Sequence, residues 1–395
     1  MRVAIDTRSL RPPLAGIGHF THRLTEAMLP LLSRDDMLLA FNGWTLEPID
    51  RQFLIRVAAE NSGHGLSAVQ RSAGQIARKL YIAVRQISPV RKCVRAMQAR
   101  RFRSGEECFQ VFHAINYVPP GKFRRPVLPF IHDLSHMRHP RMHPKDRVEL
   151  LRRRLALVVD APFVQTNSLF SKGEIVAVLG VPADRIHVTY AAAGAEFRRA
   201  PDGDEAWLAK NKLTARRYIL AVGTREPRKN FKSVAEAYAG LPENIQARIP
   251  LVWCGPAGWG DLSLPRSVAR VKEAGHIRIF GYVPNRELAA LYRNCTLFVM
   301  ASVYEGFGMP VVEAMACGAR VALSRIPVFE EIAGNYARYV EPLDIEEWRR
   351  AIRETVEEAC GPWRSQDRQP DLARFSWRSS AAATLELYRR LQRLV

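Results

Sequence analysis

The sequence has no Cys-x-x-Cys pair, no uncharged apolar run of the roughly 18 residues a spanning helix needs, and no acidic residue between Asn61 and Gly105. Each absence excludes something. Cys93, Cys108, Cys254, Cys295, Cys317 and Cys360 are widely spaced, so they read as reduced core or incidental thiols rather than disulfides or zinc ligands. With no spanning segment, and with Met1-Arg2-Val3-Ala4-Ile5-Asp6 starting directly as a strand, the expected location is cytoplasmic or peripheral to a membrane. No convincing acidic pair is present for a metal, since Asp202-Gly203-Asp204 lies in a polar stretch with no flanking strand. Neither a metal nor a cofactor is expected.

The missing acids concentrate the positive charge, which totals +20 over 395 residues. The stretch 61–105 carries Arg71, Arg78, Lys79, Arg85, Arg91, Lys92, Arg95, Arg100, Arg101 and Arg103. Within it Ile76, Leu80, Ala83, Val84 and Ile87 share one helical face opposite Arg78 and Arg85, and Pro89 separates this from a second basic helical stretch. At about 1 kcal/mol per basic residue near an anionic bilayer, half of these would hold a soluble protein on a membrane. The residues singled out for that surface are Arg78, Lys79, Arg85, Arg91, Lys92 and Arg95. The competing reading is a solvated helix pair packing its apolar face on the core. Few aromatics and no reader motif argue against nucleic acid.

What is present is an α/β pattern. Short β-rich runs (Val3 to Ile5, Val127 to Ile131, Phe163 to Gln165, His187 to Tyr190, Tyr218 to Val222, Pro250 to Cys254, Ile277 to Phe280, Leu297 to Met300, Arg320 to Leu323) alternate with helical patterns. That alternation predicts parallel sheets covered by helices on both faces. The order repeats in two halves, and the polar stretch from Gly194 to Glu205 reads as the linker. Two such domains leave a cleft between the carboxyl ends of their strands, where open sheets bind ligands.

Four constellations fall at or near these strand ends. The most informative is Glu305-Gly306-Phe307-Gly308-Met309-Pro310-Val311-Val312-Glu313, which reads as strand, glycine loop and helix start, with Gly318 as the helix stop. Gly306 and Gly308 keep no side chain between ligand and backbone, and the free N–H groups of a first helical turn favour phosphate or sugar oxygens. Glu305 and Glu313 can accept hydrogen bonds from two polyol groups along one ligand. Leu14-Ala15-Gly16-Ile17-Gly18 precedes an amphipathic helix and lets the backbone approach a ligand at Gly16 and Gly18. His132-Asp133 follows a strand, with His132 expected at the mouth of the cleft and His136 and His143 at the surface; Pro140 and Pro144 break any metal-binding helix there. Gly223-Thr224-Arg225-Glu226-Pro227-Arg228-Lys229-Asn230 puts three cations beside a strand end, suited to a leaving diphosphate.

Together these segments resemble the retaining, nucleotide-sugar-dependent glycosyltransferases of the GT-B fold (family 4 type), and more narrowly the bacterial mannosyltransferase-like members that build O-antigen, capsule and exopolysaccharide. The likeness extends through Thr166-Asn167-Ser168, Ser171-Lys172, Gly281-Tyr282-Val283-Pro284, Ile326-Pro327 to Gly334, and Phe375-Ser376-Trp377, sparing the stretch 61–105. It implies an N-terminal Rossmann-like acceptor domain over 1–198, a nucleotide-sugar domain over 199–372, and a C-terminal helix over 373–395 crossing back to the first domain. It also implies roles. Glu313 would hold the ribose, Glu305 the transferred sugar, and the backbone of Gly306, Phe307, Gly308 and Met309 the sugar and phosphate. Arg228 and Lys229 would neutralise the diphosphate beside Gly223, His132 would close over the donor sugar, and Gly16 to Gly18 would approach phosphates or acceptor. Relatives often have arginine directly after the phosphate-loop glycine, where this chain has Thr224 and then Arg225, so either Arg225 or Arg228 is the diphosphate partner.

The resemblance thus implies metal-independent transfer of a mannose-type hexose, from GDP-sugar or alternatively UDP- or dTDP-sugar, to a glycan or polyprenyl-diphosphate-linked acceptor. Two other readings stay open from the residues. One is a non-catalytic scaffold binding an anionic lipid or polymer; the other is a phosphorylase or epimerase on the same fold.

Overall fold

The computed structural model describes residues 1–12, 14–62, 88–117, 119, 124–156, 158–198, 203–260, 263–358 and 370–394; of 62, 88–92 and 95 it describes the backbone alone. Arg78, Lys79, Arg85, Asp202 and Cys360 lie outside the described residues.

Apolar runs too short for helices form the strands. β1 (Arg2–Asp6), β2 (Met37–Phe41), β3 (Leu46–Pro48), β4 (Val111–Ala114) and β5 (Val127–Pro129) make one sheet in the order β3-β2-β1-β4-β5. The sheet is parallel except for β3, which pairs antiparallel with β2 at the edge. Register is fixed by the centre: Val3 pairs with Leu38 on one side and Val111 on the other. β6 (Val164–Thr166) and β7 (Ile186–Val188) pair with each other, and a bridge between Phe130 and Gln165 joins them to the same sheet. Beyond them, β8 (Ile219–Val222), β9 (Leu251–Cys254), β10 (Ile277–Phe280), β11 (Leu297–Met300), β12 (Val321–Ser324) and β13 (Arg338–Val340) form a second, wholly parallel sheet in the order β10-β9-β8-β11-β12-β13. Its interior strands β9 and β11 are buried at every position, as parallel strands covered on both faces must be.

The fold class is therefore the expected α/β, with two sheets and helices between their strands. The order of β8 and β11 about the sheet centre creates a switch point, and the loops after these two strands open into the same space. Four strands were not expected from sequence: β2, β3, β4 and β13. β4 has His113 in its middle, and β3 and β13 have three residues each, too few for a period-two signal.

The stretch expected as a linker is more ordered than an irregular tether. Ala195–Arg198 and Asp204–Lys210 are helical, and Arg293 Nε meets Asp204 Oδ2 at 2.8 Å. Asp204 is thus the partner of an arginine. The helix Trp377–Gln392 packs against the helix Gly16–Met28 near the start of the chain. Tyr388 and His113 Nδ1 share a hydrogen bond of 2.6 Å, and the Gln165 side chain donates to Thr384 Oγ1 at 2.9 Å. The C-terminal helix therefore completes the N-terminal lobe.

The helix Ser88–Ser104 carries Arg91, Lys92 and Arg95 and starts at Pro89's neighbour, where a missing N–H costs nothing. Near its end Phe102 is fully buried against Phe41, Phe109 and Phe112, which fixes the helix to the first sheet. Arg100, Arg101 and Arg103 face solvent. Among the described residues no helix is long and apolar enough to cross a membrane.

Candidate active site

The loops after β1, β4, β5, β8, β9, β10 and β11 meet in a cleft of about 500 Å³ between the two lobes. Gly16, Gly18, His132, Gly223, Thr224, Arg228, Lys229, Glu305, Gly306, Phe307, Gly308, Met309 and Glu313 all line it, although they come from both sheets. Arg225 does not line it; its backbone N–H is bound to the Pro256 carbonyl, 3.0 Å away.

Three glycines are sterically required at this cleft. A Cβ on Gly18 would stand 2.6 Å from the Ser9 carbonyl oxygen, and one on Gly306 would stand 1.8 Å from the His132 carbonyl oxygen of the opposite lobe. Gly308 has φ +107° immediately before the helix Met309–Ala316, a turn that favours glycine. Gly16 is different: a Cβ there would meet nothing within 4 Å, so its small size leaves open space in the cleft. Gly318, at φ +69°, ends that helix as expected. Phe307 turns its ring away into the core against Tyr190 and Phe375 and offers only its backbone. The N–H groups of Phe307 and Gly308 have no acceptor among the described residues.

Glu305 is the hub of the charged groups. Lys229 Nζ meets its Oε1 at 2.6 Å, Ser302 Oγ donates to the same oxygen at 2.8 Å, and Arg228 reaches its Oε2 at 2.6 Å. Burial alone would raise the Glu305 pKa, but Arg228 and Lys229 outweigh it and hold the carboxyl below its ordinary value. Arg228 is itself committed: its second terminal nitrogen meets Glu226 at 2.6 Å, and the first also donates to the Tyr304 carbonyl at 2.8 Å. Burial opposes its charge, and Glu305, Asp133 and Glu226 more than restore it. The structure therefore gives both ends of the Arg228 guanidinium to protein acceptors. Among the described residues Glu305 is the one acceptor for the three N–H donors of Lys229.

Glu313 sits on the helix behind the loop, with Tyr292 donating to its Oε2 at 3.2 Å. Burial pushes its pKa up to about 7, and the Tyr292 bond only partly opposes this. His132 Nε2 bonds the Ile115 carbonyl at 2.8 Å, so the lone pair is on Nδ1. Burial lowers its pKa to about 4, so the imidazole is neutral.

His136 and His143 are not at the surface. They are 1% and 8% exposed, because His136 packs edge-on against Tyr117 and His143 lies beside Trp259 of the other lobe. Among the described residues no three His, Cys, Asp or Glu side chains converge as a metal site.

Sequence reasoning missed several residues of this cleft. Tyr117 follows β4, Trp259 follows β9, Asn285 follows β10, and Glu226 pairs with Arg228. Trp259 Nε1 donates across the cleft to the Met142 carbonyl at 2.9 Å, and the Arg147 guanidinium lies 5.2 Å over its ring. The available signal was position: each stands just past the carboxyl end of a strand or within one short loop of it.

Residues 204–369 match the family described as "Glycosyl transferases group 1". The O-antigen chain mannosyltransferase B of Escherichia coli is 32% identical over 99% of this chain and 100% of its own length. The serotype-specific mannosyltransferase WbdA of Escherichia coli is 28% identical over 58% of this chain, an alignment that covers 30% of that longer protein. Among solved structures, HepE of Anabaena, in complex with UDP and glucose, superposes with a TM-score of 0.68 at 16% identity, covering 98% of this chain and 99% of that one. WaaG, a glycosyltransferase involved in lipopolysaccharide biosynthesis, does so with a TM-score of 0.59 at 12% identity, covering 98% and 95%. With a full-length relative at this identity and the glycine loop, its two glutamates and the facing histidine gathered in one interlobe cleft, the chain belongs to the group 1 glycosyltransferases, and its fold is GT-B.

Proposed function

We propose that the protein transfers mannose, with retention, from GDP-mannose to a growing bacterial surface glycan carried on a polyprenyl diphosphate lipid. The observation that carries the proposal is the cleft itself. It presents the free N–H groups of Phe307 and Gly308, the ammonium of Lys229, and two carboxylates at different depths, which together match a sugar, a diphosphate and a ribose in sequence. The mannose assignment is supported by the O-antigen mannosyltransferases among its relatives.

In this reading Glu313 accepts hydrogen bonds from the ribose hydroxyls, and Glu305 uses its remaining lone-pair capacity on a sugar hydroxyl. Lys229 directs its unused donors at the diphosphate, where negative charge accumulates as the C1–O bond breaks. The acceptor oxygen forms its bond to C1 on the same face, and the acceptor proton passes to the departing phosphate oxygen. Retention therefore needs no protein base. Arg228 acts through Glu305, which it aligns, and His132 supplies a neutral Nδ1 acceptor toward the sugar. Cationic side chains stabilise the leaving group, so the reaction proceeds without a metal. The basic helix Ser88–Ser104, anchored by Phe102, supports peripheral attachment of the acceptor lobe to an anionic inner leaflet where such lipids lie.

The test is a thermal-shift panel of the wild-type protein and Glu313→Ala with GDP, UDP, dTDP and ADP, each with magnesium and with chelator. A ligand at about 100 times its Kd adds about 2.7 kcal/mol. The proposal expects a shift with GDP that survives chelation and is absent from the variant. A shift with UDP alone would redirect the donor assignment, and no shift with any nucleotide would remove the donor site.

A further inference from the structure

The segment after β6 belongs to the N-terminal lobe, yet it grips the donor loop of the other lobe. Ser168 Oγ donates to the Gly306 carbonyl oxygen at 2.6 Å, and Ser171 Oγ donates to the same oxygen at 2.9 Å. The Asn167 amide, in the orientation its neighbours require, places its nitrogen 3.1 Å from that oxygen and 3.1 Å from the His132 carbonyl. All three side chains are buried. One donor would satisfy one buried carbonyl, and three converge here.

The His132 carbonyl shares the Asn167 donor with the Gly306 oxygen and comes so close to Gly306 that a Cβ there would stand 1.8 Å from it. A second bond between the lobes lies at the start of the following helix, Leu169–Leu179. Both oxygens of Glu331, from the C-terminal lobe, accept backbone N–H groups there, from Leu169 and Phe170 at 2.8 Å each, and Tyr190 Oη donates to Glu331 at 2.9 Å.

The consequence follows from peptide planarity. The Gly306 carbonyl and the Phe307 N–H belong to one planar trans unit and point in opposite directions, so fixing the oxygen in the N-terminal lobe aims the N–H the other way. We propose that Ser168, Ser171 and Asn167 are positioning residues that set the donor loop when the lobes close, with Glu331 latching the closed arrangement. None of these side chains needs to touch the reacting atoms. The proposal rests on the reading that this loop addresses the donor, and it makes closure a condition for a formed sugar and phosphate site.

Ser171→Ala isolates the grip, because the Oγ that caps this helix is that of Ser168, accepting from the Ser171 backbone N–H at 2.9 Å. Steady-state kinetics with GDP-mannose, GDP titrations and small-angle scattering are run on wild type, Ser171→Ala, Ser171→Thr and the double variant Ser171→Ala with Glu331→Gln. Ser171→Ala is expected to lower kcat/KM about tenfold, the size of one lost buried hydrogen bond. Its GDP affinity stays within about twofold, since Glu313 holds the nucleoside, and Ser171→Thr restores activity. The double variant is expected to scatter with a larger radius of gyration. Unchanged kcat/KM in the double variant, or a loss that follows melting temperature alone and is not rescued by threonine, overturns the positioning role. Scattering identical to wild type overturns the latch whatever the activity. A wild-type protein inert toward GDP-mannose, with the double variant still opening, instead refutes the donor reading and leaves the latch supported.

Discussion

Glu313 and Glu305 have the same side chain and opposite electrostatics, and that difference yields a pH prediction. Glu305 is surrounded by Arg228 and Lys229 and stays ionised, whereas burial raises Glu313 to about 7. Accepting from ribose hydroxyls requires the carboxylate form, so GDP affinity should fall about tenfold per pH unit once the pH drops below 7. In Glu313→Gln, calorimetric titration should find weak binding with that slope removed. The stability sign is the reverse. A carboxyl whose folded pKa lies above its unfolded value binds more protons when folded, so its contribution falls as pH rises from about 4.5 through 7. Lys229→Ala tests the other end of the donor: kcat should drop by about 10² to 10³ with little change in melting temperature, as expected for a donor lost from a developing anion. Full activity in that variant would remove Lys229 from the site.

The glycines and glutamates of this site were legible in the sequence because their chemistry is local. Gly308 needs its backbone conformation and Glu305 and Glu313 are spaced by one loop and helix start, all within one stretch. Tyr117, Trp259 and the burial of His136 and His143 were not legible, since each depends on a partner distant in sequence. The commitment of Arg228 to Tyr304 and Glu305 was hidden for the same reason, whereas its partner Glu226 stands only two residues away.

Among the elements, strand and helix alternation was readable in apolar runs such as β8, β9 and β11, although β2, an apolar run of its own, was missed. It failed at β4, where His113 interrupts the run. That histidine is explained only by an element far away, the C-terminal helix, whose Tyr388 bonds its Nδ1 while Nε2 has no partner. Tyr388→Phe would leave a fully buried ring with neither nitrogen bonded, and should cost about 1–3 kcal/mol in chemical denaturation. Burial lowers the His113 pKa to about 3, with His132 adding to the effect. A base depressed in the folded state is protonated first in the unfolded one, so its contribution is lost as pH falls below the unfolded value near 6.5. The basic helix makes a prediction of its own. Replacing Arg100, Arg101 and Arg103 with glutamate should abolish flotation with anionic vesicles at low salt without changing donor binding; unaltered flotation would place the membrane contact elsewhere.

For the whole molecule, two lobes and a cleft were implied by the repeated α/β order, but the closed contacts across the cleft were not. Ser168 and Ser171 on Gly306, Glu331 on the helix Leu169–Leu179, and Trp259 on Met142 each join residues more than 100 positions apart. No local pattern encodes such pairs. They give closure a physical content: the N-terminal lobe contributes the groups that hold the loop at Gly306, and under the proposed function this arrangement would bring donor and acceptor together with water excluded.

The central claim is tested most directly by incubating the purified protein with GDP-mannose labelled in the sugar and a polyprenyl-diphosphate-linked glycan, in chelator, and reading the new anomeric linkage by NMR. Transfer is predicted to the lipid-linked glycan with the α configuration of the donor kept. No incorporation, dependence on added metal, or a β linkage would contradict the account.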